Sequence, residues 1–157
     1  NYPKYEKRIL ASLELHYIKA QKSQFFFSEH PHFLNETCLY LGIIRNNFPV
    51  VRYSCLYYAY RSWLCNHGRN AISYAVEYSD FEIIKHLIIS GFPVLNLNGM
   101  KNNPIVLAYE LKKFEVVDYL LSNLNEISTY HFGLLENCLK NDSERLKVLK
   151  NIMVKNL

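Results

Sequence analysis

Residues 81–90 read "FEIIKHLIIS" and residues 114–123 read "FEVVDYLLSN". Phe81 and Phe114, Glu82 and Glu115, and the pairs Ile83-Ile84 and Val116-Val117 occupy the same places at an offset of 33 residues. The aliphatic positions fall three and four apart, the spacing of one helix face and not the alternation of a strand.

The offset extends beyond these two stretches. Upstream of each lies a second matching pair, "RNAISYAVEY" (69–78) and "NNPIVLAYEL" (102–111), which superposes Asn70 on Asn103, Ile72 on Ile105, Ala75 on Ala108 and Glu77 on Glu110. One step back, "ETCLYLGIIR" (36–45) puts Thr37, Leu39 and Gly42 in the corresponding places, and "FPVVRYSCL" (48–56) supplies the second element. Within each copy Leu39, Ile72 or Ile105 stands three residues before Gly42, Ala75 or Ala108. The two share a face of a short first helix, and the small residue admits a second helix closely. Thr37, Asn70 and Asn103 stand where a short polar side chain can cap that helix. Turns at Asn46-Asn47, Ser79-Asp80 and Lys112-Lys113 lead to second helices whose pairs Val50-Val51, Ile83-Ile84 and Val116-Val117 face inward. In "SGFPV" (90–94), Gly91 suits a left-handed helix end and Pro93 prevents continuation. A helix-turn-helix unit of this size cannot bury its apolar face alone and must pack on its copies.

The period and the stretches "TCLYLG", "NAISYA" and "NPIVLA" resemble the Thr-Pro-Leu-His-x-Ala box of the ankyrin repeat. The middle copy follows that family's pattern closely from Gly68 to Gly91. Only Thr37 keeps the box's Thr, only Pro104 its Pro, and no copy its His, so the hydrogen bonding those residues make in the family is absent or replaced. The resemblance implies an all-α, ankyrin-like solenoid with helical caps. Its expected divisions are an N-terminal helical cap and loop at 1–34, repeats at 35–67, 68–100 and 101–130, and a degenerate capping repeat at 131–157. Ile9, Leu13, His16, Tyr17 and Ala20 make the cap's helical stripe within 4–22, and "FFFSEHPHF" (25–33) is the expected loop. Glu6 stands where a further repeat would need an apolar residue. At the other end, two helices are expected around a break at Asn141-Asp142-Ser143, with Leu146, Leu149 and Met153 in one stripe.

Half of the 157 residues are hydrophobic and a fifth are charged, a globular composition, and five Gly and five Pro leave little for linkers. The formal net charge of +4 permits an acidic partner without announcing one. Four cysteines (Cys38, Cys55, Cys65, Cys138) form no CxxC pair and are expected to be reduced thiols in an intracellular, cytoplasmic setting. The apolar run "CLYLGII" (38–44) is far shorter than the roughly 18–20 residues of a membrane span. No signal peptide is visible; with Asn1 in place of Met, that says little about the full gene product.

Chemistry-bearing motifs are sparse. His30-Pro31-His32 places two imidazoles near each other but lacks the further ligands of a zinc site, so a solvated loop is the expectation. Cys65-Asn66-His67 pairs a thiol with a base but offers no third group to orient the imidazole. No phosphate loop, GxGxxG, serine elbow or HExxH occurs. Glu82 and Glu115 read as complements to helix dipoles, not as a catalytic pair. Arg145, Lys147, Lys150 and Lys155 are interleaved with a leucine stripe, and no aromatic–arginine platform for nucleic acid stands out. No enzyme activity, cofactor or metal is expected.

What the resemblance implies is a protein-binding surface on loop tips and exposed sides of first helices. Carried onto this chain it gives Phe33, Leu34, Glu36, Ile44 and Arg45 in the first copy, Asn66, His67, Arg69, Glu77 and Tyr78 in the second, and Met100, Asn102, Glu110 and Leu111 in the third. Phe33, Leu34 and Ile44 can alternatively be covered by the N-terminal helix. The competing roles are substrate docking for a catalytic domain outside this chain, as in adaptor or effector proteins, and, ranked lower, nucleic-acid binding.

Overall fold

The computed structural model describes residues 33–57, 69–95 and 103–155, with the backbone alone at 33–38 and at Tyr57, and the helical positions Lys7, Arg8, Ala11, Ser12 and Leu15. Most of the expected 4–22 helix, the 25–32 loop with both of its histidines, and Cys65-Asn66-His67 lie outside the described residues. The described chain holds eight helices and no strand: α1 Phe33–Ile44, α2 Phe48–Tyr57, α3 Ala71–Tyr78, α4 Phe81–Ile89, α5 Pro104–Glu110, α6 Phe114–Ser122, α7 Thr129–Cys138 and α8 Ser143–Lys155.

Each odd-numbered helix packs on the helix that follows it, and also on the next odd-numbered one, so that α1 meets α3, α3 meets α5 and α5 meets α7. Among the even-numbered helices α2 packs on α4 and α6 on α8, while α4 and α6 meet through Phe81 edge-on to Tyr119 at 5.3 Å. The core lies between the two sets. Leu39, Ile72, Ile105 and Leu135 are buried from the odd helices, and Val51, Ile83, Ile84, Val117, Leu120 and Leu149 from the even ones. Burying a side chain of this kind is worth about 1.5–3 kcal/mol, which is what holds helices of seven to thirteen residues that would not persist alone.

Polar side chains set the ends of these helices. Asn70 Oδ1 accepts from Ser73 N at 2.9 Å, while its amide nitrogen donates to the carbonyls of Pro93 (3.2 Å) and Val94 (3.1 Å) in the loop after α4. Asn103 accepts from Ile105 N at 2.9 Å, precedes Pro104 in the first turn, and its amide lies 3.3 Å from His131 Nδ1 on α7. Each asparagine thus caps its own helix and reaches the following segment, with every polar end satisfied. Thr37 does not share this role: α1 begins at Phe33, so Thr37 lies inside it. Nothing in Phe33–Glu36 breaks a helix, and α1 therefore runs through the position where the neighbouring units have their caps.

The C-termini of α1, α3, α4 and α5 close in two ways. After α4, Phe92 N bonds to Leu87 O and Gly91 N to Ile88 O, both at 3.0 Å, with Gly91 at φ 92°. The same paired bonds follow α1, where Asn46 has φ 50°, and α5, where Lys112 has φ 57°. Ser79, at the equivalent place after α3, is instead extended and donates its hydroxyl to Ile43 O at 2.7 Å. At the C-terminus, the expected break appears between α7 and α8; Leu149 is buried, whereas Leu146 and Met153 are half-covered.

Candidate functional site

A groove of about 450 Å³ crosses the odd-numbered helices. Arg69, just before α3, and Glu77 near its end form one wall. Asn103, Val106, Leu107 and Glu110 form the floor from α5, and Leu134, Asn137 and Cys138 form the far wall from α7. Helix geometry explains the grouping. Positions 134, 137 and 138 lie on one face of α7, as do 103, 106, 107 and 110 along α5, while Ile105 and Ala108 on the opposite side of α5, and Leu135 beside the groove face of α7, enter the core.

Arg69 is held at several points. Its Nη2 donates to Ser73 O at 3.2 Å and pairs with the Glu77 carboxylate, and the guanidinium lies 4.2 Å over the Tyr74 ring. Its Nε is buried and has no hydrogen-bond partner among the described residues. The side chain therefore works as a strut between the two ends of α3, and the Glu77 charge is matched within the helix. The aromatic surface continues on both sides of Tyr74, which meets Tyr40 of α1 edge-on at 4.8 Å and stacks with Tyr78 at 6.4 Å.

Glu110 stands at the position of Glu77 in the next helix, 33 residues on, and is exposed. It forms neither a hydrogen bond nor an ion pair with the described residues. Its charge still reaches across the groove: the Cys138 thiol is pushed above its ordinary value, first by burial and then by Glu110. The groove thus joins an apolar floor to one uncompensated carboxylate.

No known family, curated protein or solved structure matches the chain. Of the residues expected on the binding surface, the groove gathers Arg69, Glu77 and Glu110. Tyr78 is exposed beside Tyr74, while Arg45 and Leu111 are exposed but do not line the groove. Ile44 is half-buried, Phe33, Leu34 and Glu36 are placed by backbone alone, and Asn66, His67, Met100 and Asn102 lie outside the described residues. Asn103, Val106, Leu107, Leu134, Asn137 and Cys138 also line the groove and were not among the residues expected there. The signal for the last three was the 134/137/138 spacing next to the buried Leu135.

No group of acidic, histidine or cysteine side chains that could hold a metal occurs among the described residues. Glu82 and Glu115 lie in the first turns of α4 and α6. Cys55 is buried and Cys138 partly covered. Among the described residues no helix is long and apolar enough to cross a membrane.

Proposed function

We propose that the chain is an ankyrin-like repeat module, without catalytic activity of its own, that binds a partner protein in an intracellular, reducing setting. The repeat reading is supported by the 33-residue period together with the packing order, in which odd helices meet odd helices and each pairs with its successor. The binding reading rests on one observation: side chains of three successive odd helices converge on a single open groove. Its walls are set by capped, core-anchored helices, so a partner would meet a preformed surface and pay little ordering entropy on association. Aliphatic floor, flanking aromatic rings and few charges are the composition of a protein interface.

The test is capture of partner proteins on the immobilised chain, comparing wild type with the double variant Leu107→Lys/Leu134→Lys and with Val154→Lys, which lies on α8 away from the groove. The groove pair should abolish retention of proteins that the wild type holds, and the α8 variant should keep them. Equal retention by all three chains, each folded by circular dichroism, refutes the proposal.

A further inference from the structure

We propose that the groove takes a partner segment whose lysine or arginine side chain sits against Glu110, with an adjoining aliphatic side chain on Val106, Leu107 and Leu134. This deepens the protein-binding reading and rests on it. The argument is one of charge complementarity. Arg69, the cation lining the groove, is committed to Glu77, Ser73 O and the Tyr74 ring. An anionic ligand would have to break that pair and approach two carboxylates. A cationic one meets Glu110 directly, since no described residue occupies it.

The concave, partly apolar setting strengthens the preference. Low-polarity walls focus the field of an unmatched charge, and Glu110 stands on the rim of a groove lined by Val106, Leu107 and Leu134. Lysine and arginine also carry long methylene stems, which cover apolar surface while the charged head stays wet. The half-covered Val106 and Leu107 and the exposed Leu134 offer such a bed next to the carboxylate. A space of about 450 Å³ receives a few side chains of the partner.

The probes are two synthetic peptides, acetyl-Leu-Leu-Arg-Leu-amide and the same peptide with citrulline for arginine, titrated into the full chain and followed by backbone amide NMR. The arginine peptide should shift signals of Val106, Glu110, Leu134 and Cys138. The citrulline peptide should bind about fivefold more weakly, as should the arginine peptide on Glu110→Gln, because a partly exposed ion pair contributes up to about that factor. Equal binding of the two peptides overturns the proposal while leaving the groove as a protein-binding site. Absence of groove shifts with either peptide overturns it as well. The capture experiment with Leu107→Lys/Leu134→Lys reports separately on the underlying reading, so the two failures are distinguishable.

Discussion

A methyl group added at Gly42 and another added at Gly133 should have opposite effects on stability. Both glycines lie within helices, α1 and α7, where replacement by alanine gains about 0.5–1 kcal/mol from backbone entropy and helix propensity. Their surroundings differ. A Cβ at Gly133 meets nothing within 4 Å. A Cβ at Gly42 would lie 2.9 Å from Val50 Cγ1, 3.1 Å from Val51 Cγ2 and 3.2 Å from the Val51 backbone nitrogen. Both valines are fully buried and stiff at χ1, and the nitrogen belongs to α2, so relief requires α1 and α2 to separate. Overpacking of this kind costs about 1–3 kcal/mol. Since the propensity gain cancels between the two variants, Gly133→Ala should exceed Gly42→Ala in stability by about 1–3 kcal/mol. For a chain of this length that is a gap of roughly 2–12 °C in Tm. Urea and thermal unfolding followed by far-UV circular dichroism measure it directly. If Gly42→Ala stabilises the protein as much as Gly133→Ala does, the close approach of α1 and α2 is wrong.

Four further outcomes can be checked with the same purified chain. Lys112→Gly should raise stability by about 0.5–1 kcal/mol in urea titration, because Lys112 holds φ 57° without the freedom of glycine; a loss would contradict that backbone. Asn70→Asp should cost at least about 2 kcal/mol although it keeps the cap, since a carboxylate would face the Pro93 and Val94 carbonyls that the amide now serves; stability equal to wild type would show those bonds to be dispensable. Cys138 should react with iodoacetamide more slowly than a free thiol and faster in Glu110→Gln, because burial and then the Glu110 charge hold its thiol protonated; an unchanged rate would remove Glu110 from its surroundings. Burial and then the Arg52 charge hold His86 below its ordinary value of 6.5, so the unfolded chain takes up this proton first as pH falls. The His86 contribution to stability should therefore be constant above that value and decline below it. His86→Gln should flatten the decline as pH falls below about 6.5, and an identical pH profile would refute the assignment.

The inward face of each helix was legible in the sequence because burial writes itself as spacing. Ile83, Ile84 and Leu87 fall three and four apart and all enter the core. The asparagine caps were equally legible, since Asn70 and Asn103 carry the side chain the helix start requires. Thr37 misled because capping ability was read from residue type and register, while α1 had no breaker to stop it from starting at Phe33. The turns at 46, 79 and 112 shared a register but not a geometry, a choice that rests on one φ angle and leaves no periodic trace. The far wall of the groove escaped notice because the last unit, where Leu135 follows Ile105 by 30 residues, has the look of a cap, so the binding surface was extended only over the three regular copies. The commitment of Arg69 to Glu77, two turns along α3, was invisible to a search for exposed binding residues.

The turns bear on how the molecule yields to force. Asn46 exchanges two bonds with Asp80, at 2.7 and 2.9 Å, Ser79 bonds to Ile43 O, and Lys113 donates to Val76 O. All of these tie one turn to the end of a neighbouring helix along a single edge. Apolar contact is non-directional, whereas a hydrogen bond stretched by an ångström is lost. Under a bending load the turn edge would therefore keep its length while the opposite edge opens or closes. The row of turns would then serve as a hinge line between neighbouring helix pairs, with bending easier than stretching among the described residues.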